Sequence, residues 1–115
     1  FPVAEAGPDQ TVAANTSVTF DASASYDTDG AIVGYEWDFG DETEGTEMTT
    51  THTYTKPGTY IVTLNVRDEE GNIGTDTMTV TVTARETFPL HLKVVLVTAV
   101  ILIVLLFLWR LRAKK

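Results

Sequence analysis

Carboxylates are the most abundant candidates for metal binding or acid–base chemistry in this 115-residue sequence. It contains 16 Asp and Glu, two His and no Cys. Nine of the carboxylates lie in four short groups, which are Asp27/Asp29, Asp38/Asp41, Glu42/Glu44 and Asp68–Glu70. Carboxylates collected from loops are ligands for Ca²⁺, whereas an aspartate in a tight turn commonly bonds the backbone beside it. No twelve-residue calcium loop is present, and Asp68–Glu70 is predicted to be a solvated hairpin tip. The acidic groups therefore leave both interpretations open.

The remaining polar residues do not form a recognisable catalytic motif. His52 falls on a predicted strand, and His91 falls beside a long apolar run. Ser17, Ser23 and Ser25 lie in strand or turn contexts and not in a nucleophile elbow. We therefore predict that the chain is not an enzyme and has no small-molecule substrate.

The charges divide the chain into two parts. Residues 1–89 hold all 16 acidic residues and only Lys56, Arg67 and Arg85, whereas residues 90–115 hold basic residues and no acid. A phosphate backbone needs a cationic face, so the acidic body predicts no nucleic-acid partner. The lack of Cys excludes a disulfide framework and a thiolate metal site.

Alternation of apolar and polar residues with a period of two occurs in four runs. These runs are Ser17–Ala22, Val33–Phe39, Thr59–Arg67 and Thr77–Thr83. The period, together with abundant Thr and Val and polar outer faces, is typical of antiparallel sheets covered on one side. We therefore predict that residues 1–84 form an all-β, immunoglobulin-like antiparallel β-sandwich of about seven strands.

One segment makes the sequence recognisable. Tyr35-Glu36-Trp37-Asp38-Phe39-Gly40-Asp41 resembles the signature strand and turn of the PKD (polycystic kidney disease) domain family. Further motifs follow the order of the family: Asp21–Ser25, Asp27–Gly30, His52–Tyr54 and Lys56–Tyr60. The resemblance covers roughly residues 2–84. It departs from the family at Glu42, where the turn usually continues with glycine.

The resemblance implies structural roles for three aromatic residues. Trp37 and Phe39 are expected at the centre of the core, where immunoglobulin sandwiches place a buried Trp between the sheets. Tyr60 follows a Pro-Gly turn at the start of a long strand. It is expected to hold that turn through a tyrosine-corner hydrogen bond.

The resemblance also bears on metal binding. Some PKD-like domains bind calcium near the loop that matches Asp27–Gly30, so calcium is the one cofactor that the resemblance implies. Calcium gathers several oxygen ligands from loops. The candidate ligands are Asp27, Asp29, Asp38 and Asp41.

A long uncharged run lies near the C-terminus. Val94–Trp109 would span about 24 Å as a helix, and extension to Leu90 and Leu111 brings it close to the thickness of a bilayer core. Basic residues follow directly, so the positive-inside rule places the C-terminus in the cytoplasm. The prediction is a single-pass plasma-membrane protein with an extracellular sandwich at 1–84, a linker at 85–89, a transmembrane helix at 90–110 and a basic tail at 111–115.

Asn15-Thr16-Ser17 forms a sequon for N-glycosylation. It falls in a predicted turn on the part of the chain that is predicted to face outward. Asn15 is therefore a candidate glycosylation site.

Two functions fit these features. In the first, the chain is a cell-surface, adhesion or envelope module, because the PKD family often serves as a spacer or interaction domain in archaeal and bacterial surface proteins. In the second, the chain is whole after removal of a signal peptide and is an accessory subunit of a membrane complex. The linker favours the second function, since five residues extend over about 17 Å and hold the domain near the membrane. The expected partners are membrane lipid and other protein subunits or cell-surface proteins.

Overall fold

The computed structural model describes residues 1–85 and 90–113 of the chain, and within the C-terminal helix it describes the side chains of residues 101–112. The chain divides into two units, Phe1–Arg85 and Glu86–Lys115. The strands of the first unit are β1 (Pro2–Val3), β2 (Gln10–Ala13), β3 (Ser17–Asp21), β4 (Tyr26–Asp27), β5 (Ile32–Asp38), β6 (Glu44–Gly45), β7 (Thr49–Thr53), β8 (Gly58–Asp68) and β9 (Ile73–Thr83).

These strands form a five-stranded sheet and two smaller pairs. The order in the large sheet is β2-β9-β8-β5-β6, and the pairs are β1–β4 and β3–β7. Neighbouring strands are antiparallel except β2 and β9, which run parallel. Each alternating run of the sequence coincides with a long strand, although β9 begins earlier than predicted, at Ile73. The predicted all-β, immunoglobulin-like sandwich is confirmed for this unit.

The core lies between the large sheet and the β3–β7 pair. Val62, Leu64 and Val66 alternate along β8 and are fully buried, whereas Ile61 on the opposite face is 64% exposed. Val18 and Phe20 of β3 are buried in the same cluster. Each such aliphatic or aromatic side chain contributes roughly 1.5–3 kcal/mol when it leaves water. The period-two pattern therefore sets which faces of β3 and β8 are buried.

The aromatic residues singled out from the sequence occupy two environments. Trp37 and Phe39 are buried, and the Phe20 ring lies 5.5 Å from the Trp37 ring and 5.2 Å from the Phe39 ring between centroids. The Trp37 indole N–H donates to the Glu47 carbonyl at 2.9 Å. Tyr60 is only half-buried beside the core, and its hydroxyl donates to the Lys56 carbonyl at 2.6 Å.

The second unit contains the helix α1, Leu90–Ala113. Within the part of the chain that the structure describes, no helix is both long and apolar enough to cross a membrane. The predicted transmembrane helix at 90–110 is therefore not confirmed. Residues 86–89 of the predicted linker and 114–115 of the predicted tail lie outside the described residues, as do the side chains of residues 90–100, including that of His91.

Candidate functional site

Three carboxylates converge at one end of the sandwich. Asp27 in β4, Asp29 in the β4–β5 loop and Asp68 at the end of β8 each place a carboxylate oxygen within 4.8 Å of the others. The register of the sheet brings them together, because Ile32 at the start of β5 pairs with Asp68. The loop that precedes β5 thus lies beside the β8–β9 turn.

Asp68 organises that turn and is only 3% exposed. Its Oδ1 accepts hydrogen bonds from the backbone N–H groups of Glu70 at 2.9 Å and Asn72 at 2.8 Å. Its Oδ2 accepts a third from the Asn72 side-chain amide at 3.0 Å. Burial acts to raise the pKa of Asp68, but these hydrogen bonds outweigh it and lower the pKa below its ordinary value.

Asp27 and Asp29 form a close pair of carboxylates. The Asp29 backbone N–H donates to Asp27 Oδ1 at 3.2 Å, as in an Asx-turn. A hydrogen bond between the two carboxyl groups raises the pKa of Asp27 and lowers the pKa of Asp29. A bound cation would offset the repulsion between the two ionised carboxylates.

Glu69 brings a fourth carboxylate to the same place. A Cβ on Gly30 would lie 2.8 Å from Glu69 Oε1 and 3.5 Å from Asp27 Oδ2, so both oxygens face the same small space. Carboxylate oxygens supplied by separate loops are the ligand set that suits Ca²⁺. The residues present fit a calcium ion held by Asp27, Asp29 and Asp68, with Glu69 close by.

Only part of this cluster is predicted by the analysis of the sequence above. It named Asp27 and Asp29, but its interpretation of Asp68 as part of a solvated tip was wrong, because Asp68 is buried. A signal for Asp68 is present in the sequence. Residues 62, 64 and 66 of β8 point inward, and Asp68 is the next position of the same period.

The structure does not bring Asp38 and Asp41 to the cluster. Asp38 pairs with Thr63, at the opposite end of β5 from Ile32 and Asp68. Six residues of strand separate the two ends by about 20 Å. Asp38 Oδ1 instead accepts the backbone N–H of Gly40 at 2.9 Å. The predicted set of four ligands therefore divides between two sites.

Asp41 lies in a small polar cluster with Thr43 and His52. Asp41 Oδ2 contacts His52 Nε2 at 2.6 Å, Asp41 Oδ1 accepts the Thr43 hydroxyl, and that hydroxyl lies 3.3 Å from the same His52 Nε2. A nucleophilic triad needs the carboxylate and the hydroxyl on different ring nitrogens, so this cluster is not one. Burial acts to raise the pKa of Asp41, but its hydrogen bonds to Thr43 and His52 lower it overall.

The cluster holds the turn at residues 39–43 against β7. The His52 ring stacks on Phe39 with centroids 4.4 Å apart and planes 6° apart. Buried Tyr54 donates its hydroxyl to the Phe39 carbonyl at 2.8 Å. Glu42, where the sequence departs from the family pattern, has a φ of 71°. Glycine adopts that conformation without strain, which explains the family's preference at this position.

Asn15 lies in the turn between β2 and β3. Its side chain is exposed, and its φ of 65° places it in the left-handed region that Asn tolerates. Its backbone N–H donates to the Tyr54 carbonyl at 2.8 Å, so the turn is tied to the sandwich. The side chain of the sequon is therefore accessible at a fixed surface turn.

Fold and site together define a small all-β domain that carries a surface cluster of carboxylates. The sequence profile of the PKD domain matches residues 1–82, and the chain therefore belongs to the PKD domain family. The predicted family membership is confirmed. The PKD domain is a non-catalytic module, although its relatives include parts of collagenases and proteases.

Domains similar to this chain lie within much larger proteins. The chain is 43% identical over 75 residues to Collagenase ColA of Clostridium perfringens, which covers 65% of this chain and 7% of that protein. It is similar to the PKD1 domain of the Vibrio cholerae metalloprotease PrtV, with 42% identity and a TM-score of 0.60, over 70% of this chain and 95% of that one. A structure of carbohydrate-binding modules of the β-sandwich superfamily is similar at 42% identity and a TM-score of 0.67, over 72% of this chain and 34% of that one.

Proposed function

We propose that the chain is a non-catalytic interaction and spacer module on the outer face of a membrane, where it forms part of a cell-surface, envelope or adhesion protein. The observation that carries this proposal is the match of residues 1–82 to the PKD domain family, together with the similarity of the chain to parts of a collagenase and a metalloprotease. Such domains act by binding or spacing, so the module works through its surface. Protein partners are the first expectation, and carbohydrate is the alternative that the similar binding modules suggest.

The anchor is the second part of the proposal, and its support lies in the sequence. Val94–Trp109 carries no charge, and Lys93 and Arg110 flank it. Long basic side chains at such positions reach the two interfaces of a bilayer, and basic residues after the run favour a cytoplasmic C-terminus. The sandwich then faces the cell exterior.

An accessory subunit of a larger membrane complex is the second candidate. The observation that favours it is the short segment 85–89 between the sandwich and the apolar run. At about 17 Å when extended, it keeps the domain within reach of neighbouring subunits at the outer face.

Two surface features extend this proposal. The carboxylates of Asp27, Asp29 and Asp68 are proposed to hold a calcium ion, which would neutralise their charge and tie the β4–β5 loop to the β8–β9 turn. Asn15 is proposed to carry an N-linked glycan, supported by its exposure in a turn of the part of the chain proposed to face outward.

The test is extraction of the native membrane with a mild detergent, capture of this chain and intact mass analysis. The chain should resist extraction with alkaline carbonate, and a chain ending at residue 85 should not. Recovery within a longer polypeptide or alone would support the surface module, whereas stoichiometric recovery with larger membrane subunits would support the accessory subunit. Complete release by carbonate would refute the anchor. The intact mass of an Asn15→Gln variant gives the control for the glycan.

A further inference from the structure

A shallow groove crosses the outer face of the large sheet and begins beside the β8–β9 turn. It has a volume of about 200 Å³, and its walls include Gly34, Glu36, Thr46, Asn65, Arg67 and Ile73. A second hollow of about 230 Å³ shares Glu36, Thr46 and Asn65 and continues toward Asp38 and Glu44. Together the two hollows follow the length of β5 along one side of the sheet.

The strand beside this groove has a free edge. β5 pairs with β8 on one side over most of its length, but β6 pairs only with Trp37 and Asp38 on the other side. Within the described ranges 1–85 and 90–113, Ile32–Glu36 has no strand on that side. Every second residue of such an edge directs its backbone N–H and C=O outward, where an extended chain can pair with them.

One end of the groove offers hydrogen-bond donors. Gly34 has no side chain, and Arg67 lies across the space, with Nη2 3.2 Å from where a Cβ on Gly34 would be. Arg67 forms no ion pair with any residue of the described part of the chain. Asn65 Oδ1 accepts the Thr75 hydroxyl at 2.6 Å, which leaves the Asn65 amide hydrogens to donate. The hydrogen-bond donors at this end of the groove are complementary to a carboxylate.

The other end of the groove is acidic. Asp38 and Glu44 lie directly opposite each other on β5 and β6, and Glu36 shares their face of the sheet. Like charges in this cross-strand arrangement destabilise a sheet, and a basic side chain from a partner would relieve them. β6 occupies the edge of β5 beyond Glu36, and Gly34 and Glu36 are two residues apart on the free part, or about 7 Å. The groove is therefore complementary to an extended chain with an acidic and a basic residue two positions apart.

We propose that the free edge of β5 binds an extended peptide as an added strand, with an acidic side chain against Arg67 and a basic side chain beside Glu36 that points toward Asp38 and Glu44. The added strand supplies affinity through its backbone, and the two charges set its register. A peptide is favoured over a glycan because Ile32–Glu36 offers a row of backbone N–H and C=O groups for an added strand, although Tyr35 and Trp37 also line the two hollows. The proposal rests on the proposed interaction role and names the class of partner.

The test uses the full chain in detergent and a displayed library of random ten-residue peptides. Selected peptides should carry acidic and basic residues two positions apart. Gly34→Asp places a carboxylate beside Arg67 within the chain and fills the groove, so it should weaken binding of these peptides at least about tenfold. Gly34 does not have a positive φ, so the new side chain needs no change of backbone. Arg67→Ala should weaken binding of the same peptides by a similar factor. Lys56→Ala also removes one positive charge, but outside the groove, and serves as the control that should bind like the parent.

Thermal unfolding of each variant shows that loss of binding does not reflect loss of the fold. Amide shifts in NMR spectra of the labelled protein should change at residues 32–36 when a selected peptide is added. The proposal is overturned if no peptide is enriched, if Gly34→Asp and Arg67→Ala bind enriched peptides as tightly as the parent, or if a glycan array gives the specific ligand instead. A partner captured from the native membrane equally by the parent and by Gly34→Asp would overturn this site but not the interaction role.

Discussion

Two tyrosine hydroxyls in this domain make the same kind of hydrogen bond in different surroundings. The Tyr54 hydroxyl donates to the Phe39 carbonyl at 2.8 Å, and Tyr54 is 2% exposed. The Tyr60 hydroxyl donates to the Lys56 carbonyl at 2.6 Å at an exposed position. Each Tyr→Phe substitution removes one oxygen and keeps the ring. The pair therefore measures what burial adds to one hydrogen bond.

We expect Tyr54→Phe to lower the free energy of unfolding by about 1–2 kcal/mol, because it leaves the Phe39 carbonyl without a partner away from water. Tyr60→Phe should cost about 0.5 kcal/mol or less, since water replaces the lost donor. For a domain of this size, the loss expected for Tyr54→Phe corresponds to a Tm decrease of about 4–16 °C. The loss expected for Tyr60→Phe corresponds to a Tm decrease of at most about 4 °C. Burial also raises the pKa of Tyr54 above its ordinary value, so its hydroxyl remains a donor at all pH values used.

Urea unfolding followed by far-UV circular dichroism at pH 7 measures both losses. The double variant is included because the two rings lie 4.3 Å apart between centroids and are close enough to couple. Equal losses for the two single variants, or a larger loss for Tyr60→Phe, would refute the argument from burial. An unchanged m-value is needed for the comparison to hold.

Three further predictions concern the core, the turn at residues 39–43 and the carboxylate cluster. Trp37→Ala should destabilise the domain by about 3–5 kcal/mol in urea unfolding, because it empties the space between the sheets; a loss below about 1.5 kcal/mol would contradict the central role of this residue. The pKa of Asp41 is lowered by folding, so its contribution to stability is present above its ordinary pKa of 3.8 and is lost as the pH falls through the lower value in the folded state. The stability of Asp41→Asn should accordingly fall less steeply between pH 5 and pH 2 than that of the parent, and parallel curves would argue against the contact with His52. Calcium should raise the Tm of the parent and of Asp38→Asn but not that of Asp27→Asn, and an equal shift in all three would place the ion elsewhere.

Much of the fold is predictable from local sequence because strand faces follow a period of two. Val62, Leu64 and Val66 alternate with polar residues, and the structure buries these three side chains. The signature at residues 35–41 located the strand that carries Trp37. The short strands β4 and β6 were not predicted, because two residues show no period and depend on neighbours for their pairing.

The candidate metal site was only half predictable. Asp27 and Asp29 are two positions apart in one turn, so their proximity follows from local geometry. Asp38 and Asp41 were grouped with them from the sequence, but the length of β5 separates the two pairs. Asp68 joins the cluster through pairing with Ile32 across 36 positions of the sequence; the alternation along β8 indicates that Asp68 is buried but not which residues it meets.

The class of fold, the family, the division between an acidic body and a basic end, and the alternating buried side chains of β3, β8 and β9 are predictable from the sequence. These properties depend on composition and on neighbours within a few residues. Long-range strand pairing, by contrast, determines which carboxylates lie together and which ring nitrogen of His52 contacts Asp41. It also determines which part of β5 lacks a strand partner among the described residues. The reason is physical, since distances between strands are set by the register of long-range hydrogen bonds, and a shift of one residue would turn each side chain to the other face.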